Sequence, residues 1–215
     1  MLLIITIISC IIGCKLFLYI GSWDYYISHK NEMFEWSGKG FVFYGSSFMS
    51  IASWWLFAKL KKINFTQLLD VTSIGVAMVH GMGKIGCLLA GCCYGKICNN
   101  TFGIIYNNEK SAAFPLYTPL YPVQILDSII IFFILIILLY LAKHKQFNGQ
   151  LTLTYMLIYG TGRFFTEYLR GDDDRGFLFN NTLSQGQFIS IILVLIALSI
   201  YVFKLRNLRK KYESY

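Results

Sequence analysis

Six stretches of this chain are each close to membrane-spanning length and almost wholly apolar, at about 1–21, 40–58, 70–93, 121–142, 150–170 and 184–204. A helix needs roughly 20 such residues to cross a bilayer. Only helices and closed barrels satisfy their backbone in hydrocarbon, and these runs lack the dyad alternation of barrel strands. The expected fold class is therefore all-α, a polytopic membrane helix bundle of about six transmembrane helices. Composition agrees: 56% of residues are apolar and only 14% charged, against about a quarter charged in soluble domains. No internal repeat, low-complexity tract or Pro- or Ser-rich linker interrupts the chain, so residues 1–215 read as a single integral membrane domain. Residues 1–21 lack a basic start and a small-residue exit, and are read as a retained helix rather than a cleaved leader.

The formal charge of +8 invites a nucleic-acid partner until the charges are placed. Lys59, Lys61 and Lys62 follow the second run, Lys143 and Lys145 the fourth, and Lys204, Arg206, Arg209, Lys210 and Lys211 the sixth. The alternate loops carry Asp24, Glu32 and Glu35, then Glu109 opposite Lys96 and Lys110, then Asp172, Asp173 and Asp174. The positive-inside rule then puts both termini in the cytoplasm. The basic flanks suit anionic membrane lipids, and no nucleic-acid partner is expected.

That orientation gathers polar residues in the outer half of the membrane. Lys84 and the cysteines of HGMGKIGCLLAGCCYG (80–95) lie toward the outer end of the third run, read as one helix through Cys93. Arg163, Glu167 and Arg170 lie at the outer end of the fifth, Tyr44 and Gly45 just below the outer surface in the second, Lys15 in the first and Gln124 in the fourth. A charge in hydrocarbon costs roughly 3 kcal/mol on insertion scales, so such residues usually have a partner or a task. Arg163 and Glu167 are spaced i, i+4 and share a helix face. They form either a self-neutralising ion pair or an Arg held so that it grips phosphate with two prongs. Lys84 is either a snorkelling side chain or a second cation for the same anion. His80, one turn before Lys84, is either a structural donor or a base.

Cys87, Cys92, Cys93 and Cys98 cluster, whereas Cys10 and Cys14 sit apart. No C-x-x-C pair and no paired histidines are present, which argues against a zinc site; no metal and no cofactor is expected. A disulfide among Cys92, Cys93 and Cys98, or inert buried thiols, both stay open.

These residues carry a family resemblance. GMGKIGCLLAGCCYG (81–95) resembles the G-R-[IL]-[GA]-N-x-x-N-G-E-x-x-G signature of prolipoprotein diacylglyceryl transferases, in a cysteine-containing form. Gly13-Cys14-Lys15-Leu16 is similar to the family's G-[AG]-R-[LI] segment, KGFVFYGS (39–46) to G-G-x-x-[FW]-H-G-G, and YPVQILDS (121–128) to H-P-x-Q-L-Y-E. Asp70 occupies the aspartate that opens the signature helix. YGTGRFFTEYLRGDD (159–173) resembles Y-G-x-x-R-F-x-x-E-F-x-R, and LSQGQFIS (183–190) resembles [LM]-x-x-G-Q-x-x-S. The likeness begins at the family's second helix.

The resemblance implies transfer of the diacylglyceryl group of phosphatidylglycerol to the lipobox cysteine of a preprolipoprotein signal peptide, releasing glycerol 1-phosphate. It implies a multi-pass protein of the bacterial inner (cytoplasmic) membrane. On it, Arg163, Glu167, Tyr44 and His80 are the catalytic candidates, and Lys84, Cys87, Gly91, Gly95, Lys15 and Gln124 the substrate-binding ones. The chain departs from the family pattern at Tyr44 (histidine), Lys84 (arginine), Cys87 (asparagine) and Cys92 (glutamate). Two other readings stand beside it. One is a related phospholipid-binding membrane protein without transfer activity. The other is a membrane thiol oxidoreductase using Cys87, Cys92, Cys93 and Cys98 with a quinone.

Overall fold

The computed structural model describes residues 1–29, 43–99, 102–172, 176–179 and 182–213. Glu32, Glu35, Asp173 and Asp174 of the acidic loops, and residues 40–42 of the second expected span, lie outside the described residues. For Tyr44 and Lys211 only the backbone is described.

The described chain is mostly helical. It runs α1 (Leu2–Gly21), α2 (Trp23–Ser28), α3 (Phe43–Lys61), α4 (Phe65–Ala90), β1 (Ile104–Ile105), β2 (Pro119–Leu120), α5 (Val123–His144), α6 (Gln150–Thr166), β3 (Phe177–Leu178), β4 (Leu183–Ser184) and α7 (Gln185–Glu213). Each expected apolar run contains a long helix, and α1, α4, α5 and residues 185–210 of α7 are long and apolar enough to cross a membrane. α3 and α6, at 19 and 17 residues, are shorter and more polar.

The structure moves two expected boundaries. The helix read as 70–93 starts at Phe65, where the Asn64 side chain caps it by accepting from Thr66 N at 3.0 Å and Gln67 N at 3.3 Å. It stops at Ala90 because Gly91 adopts the left-handed φ of 76° that ends helices. Cys92, Cys93 and Gly95 therefore lie beyond the helix. The run read as 150–170 leaves α-helix at Thr166 and continues as a 3-10 turn, Glu167–Leu169, before Arg170 becomes extended to bridge Gly95.

The chain forms two compact units, residues 1–69 and 70–215. In the first, α1 and α3 pack through small residues. A β-carbon at Gly13 would run into the carbonyl oxygen of Gly45, and one at Gly45 into that of Gly13. Such close approach is how helices gain contact in lipid, where no hydrophobic drive separates them from the solvent. Trp54 Nε1 donates to Thr6 Oγ1 at 2.7 Å, and Cys10 Sγ and Ser50 Oγ lie 3.1 Å apart on the same seam.

In the second unit, Ala77 of α4, Ile131, Ile134 and Leu138 of α5 and Leu151 of α6 form a core. The face of α5 carrying Ile129, Phe133, Ile136 and Tyr140 is exposed, while Gln124, Asp127 and Ser128 are buried. An apolar stripe outside and polar groups inside is the pattern of a helix solvated by lipid. α7 lies against α6 at Gly160, where a β-carbon would come within 2.7 Å of Val194. Two short antiparallel hairpins, β1 with β2 and β3 with β4, close the loop end.

Candidate active site

Four charged side chains meet inside the second unit. Lys84 of α4 reaches Asp127 of α5 at 2.6 Å, with both side chains at most 10% exposed. Arg163 of α6 lies 3.7 Å from the same Asp127 oxygen through Nη1, and 2.5 Å from Glu167 through Nη2. Glu167 also accepts from Ser184 Oγ at 3.0 Å. Gly186 lets that carboxylate approach, since a β-carbon there would stand 3.1 Å from it. The result is a buried chain of alternating sign, Lys84, Asp127, Arg163 and Glu167. Burying each ion alone would cost several kcal/mol, which mutual pairing offsets. Among the described residues, the buried Arg163 Nη1 makes no hydrogen bond, its ion-pair contact with Asp127 being too long for one.

The loop after α4 is held against this cluster by backbone. Lys96 N donates to Leu169 O at 2.8 Å, Gly171 N to Tyr94 O at 3.0 Å, and Tyr121 N to Lys96 O at 2.9 Å. Gly95 sits where a β-carbon would strike Tyr121, so it is required for this seam. Gln124 donates to Cys92 O at 2.8 Å and to Tyr106 Oη at 3.4 Å, while Tyr106 Oη donates to Leu88 O at 3.1 Å. Burial pushes the Tyr106 phenol up from its ordinary pKa. Cys92 is likewise raised by burial. Cys93 goes the other way, down to about 5, because it is hydrogen-bonded by the Cys87 thiol and, against its own burial, attracted by Arg170 and Lys84. Arg170 is buried and ion-paired with Asp172.

Of the expected site residues, the structure brings Arg163 and Glu167 into contact and joins Lys84 to them through Asp127. Cys87 lies on the last turn of α4, Gly91 and Gly95 in the loop that follows, and Gln124 of α5 holds that loop through Cys92 O. His80 Nδ1 is 2.8 Å from Tyr155 Oη, and its ring meets Tyr159 edge-on at 4.9 Å, so it sits in an aromatic box. Lys15 of α1 and Tyr44 of α3 belong to the first unit. An open apolar groove of about 540 Å³ between α5 and α6 is bordered by Gly162, which precedes Arg163 on its helix, and by Phe165, two residues after it.

Comparison with known proteins supplies the family. The family described as prolipoprotein diacylglyceryl transferase matches residues 1–203. The chain belongs to this family. It is 38% identical over 198 residues to phosphatidylglycerol--prolipoprotein diacylglyceryl transferase 2 of Clostridium perfringens, covering 92% of this chain and 75% of that one. It is 38% identical over 208 residues to the phosphatidylglycerol--prolipoprotein diacylglyceryl transferase of Clostridium tetani, covering 97% and 80%. Identity is 32% to that of Dehalococcoides mccartyi, over 95% of this chain and 76% of the relative.

Within this diacylglyceryl transferase, sequence reasoning missed Asp127 and Ser184. Asp127, next to last in the YPVQILDS segment, stands at the acid position of the family's H-P-x-Q-L-Y-E, which was the available signal. Ser184 carries no such signal, because only the fold of β4 against the end of α6 brings it to Glu167.

Proposed function

We propose that this protein transfers the diacylglyceryl group of phosphatidylglycerol to the lipobox cysteine of a preprolipoprotein, releasing glycerol 1-phosphate. Family membership and the names of the relatives support the reaction. The observation that supports this site is Arg163 Nη1, a buried guanidinium nitrogen that makes no hydrogen bond among the described residues and lies beside a second cation. A phosphate oxygen would complete it.

The substrate sulfur attacks the glyceryl carbon, the carbon–sulfur bond forms, and the carbon–oxygen bond to phosphate breaks. Negative charge then grows on the departing glycerol phosphate. Arg163, preset by Glu167 and Asp127, and Lys84 stabilise it without rearranging. The thiol must lose its proton to react. Glu167, His80 and Tyr44 are the candidate acceptors; His80 is engaged by Tyr155. Gly91 and Gly95 shape the turn, Gln124 and Cys87 line it, and Lys15 and the basic loops meet anionic lipid. The apolar groove beside Gly162 suits an acyl chain. In this reading the chain is one membrane domain of six spans in the bacterial inner membrane, with both termini cytoplasmic.

The test is incubation of the detergent-purified protein with phosphatidylglycerol and a lipobox peptide. Mass spectrometry should find a diacylglyceryl increment on the peptide cysteine. Lipid binding without that increment would favour the non-transferring phospholipid binder.

A further inference from the structure

We propose that Cys87, Cys92 and Cys93 form a binding site for a thiophilic d10 cation, zinc(II) or copper(I), held by three thiolates at the end of α4. Ion binding is tested separately from the transfer reaction, although Cys87 and Lys84 also belong to the proposed transfer site. Spacing along the chain does not suggest it; the turn creates it. Cys87 lies on the last turn of α4, and Gly91 at φ 76° and Cys93 at φ 57° fold the next residues back. Gly91 is required twice, by its backbone conformation and because a β-carbon there would collide with Ser111 Oγ. Cys92 Sγ returns to within 3.8 Å of the Cys87 carbonyl oxygen.

The three sulfurs all lie within 4.8 Å of one another. Thiolates on one zinc, at about 2.3 Å each, stand roughly 4 Å apart. Closure therefore takes only small side-chain rotations. Among the described residues, no carboxylate or imidazole joins the group. A ligand set of sulfur alone favours soft cations and excludes magnesium and calcium. All three residues are half-buried, so an ion can enter from the surface. Three thiols binding one zinc(II) release three protons and leave one net negative charge; copper(I) leaves two. Arg170 and Lys84, both close enough to Cys93 to act on it electrostatically, offset that charge. Cys98, 3% exposed, lies outside the cluster and serves as an internal control.

The full chain in detergent, reduced and freed of reductant under argon, is mixed with Zn²⁺ in one arm and Cu⁺ in the other. After desalting, metal per chain is measured, and maleimide alkylation of each cysteine is followed by peptide mass spectrometry. The expected result is one ion per chain in at least one arm. Alkylation of Cys87, Cys92 and Cys93 should slow together by tenfold or more, with Cys98 unchanged. The arm that retains metal names the cation. Cys92→Ser should weaken binding at least tenfold, and Cys98→Ser should not; the unsubstituted protein's alkylation pattern carries the test if a variant folds poorly. No retention in either arm, retention without protection of all three thiols, or recovery of two of them as a disulfide from membranes blocked in situ would overturn the site.

Discussion

Asp70 and Asp127 are both buried carboxylates of the second unit, 1% and 4% exposed, and each has a lysine partner. Their surroundings differ. Asp70 accepts from Gly149 N at 2.8 Å, Leu151 N at 3.0 Å and Thr152 N at 3.2 Å, with Lys145 at 3.3 Å. It caps the N-terminus of α6 from another helix, where orphan amides and the helix dipole both favour an anion. Among the described residues Asp127 is met by side chains, Lys84, Thr166 and the more distant Arg163, whose Nη1 is left without a hydrogen bond. A carboxylate saturated by backbone donors builds the fold. One that shares two cations between three helices is, in the proposed reading, the one that keeps charge for a ligand.

Four substitutions probe that distinction. Arg163→Ala should lower transfer by more than about 100-fold, in the range reported for loss of a donor to developing charge. The variant should still insert and keep its thermal transition; normal turnover would sink the phosphate-gripping role. Asp127→Asn should come next, at about tenfold or more in kcat, with a stability loss of about 3 kcal/mol from unpaired buried cations. A Michaelis analysis checks that the loss lies in kcat. Asp70→Asn should reverse the pattern. Loss of charged hydrogen bonds to three amides costs about 2 kcal/mol of stability, read by thermal unfolding in detergent, while the folded fraction keeps its turnover. Equal loss of turnover at Asp70 would erase the distinction. Lys145→Ala should be smallest, about 1 kcal/mol or less with unchanged activity, since its side chain is 29% exposed.

Much of this was legible from residues alone. Arg163 and Glu167 pair through helical spacing of four, which needs no tertiary information. The apolar runs are set by the thickness of hydrocarbon, so the long helices follow from local composition. The helix ends were less legible. Reading α4 through Cys93 overlooked the stop signal in Gly91, because the glycines before it at Gly81, Gly83 and Gly86 remain helical. The same misreading hid the three-thiol cluster, which exists only because the chain reverses there.

The sequence by itself determined the class of protein, the long apolar helices and several of the charges that have to be buried, Lys84, Arg163 and Glu167 among them. These follow from residue type and spacing within one helix. Only the tertiary structure decided which charges meet. Lys84, Asp127 and Arg163 come from α4, α5 and α6, and Ser184 from the strand before α7. No periodicity along the chain encodes a contact between separate helices. It is set by the burial of charge in a low-dielectric interior, where each ion must find its counter-ion across the bundle.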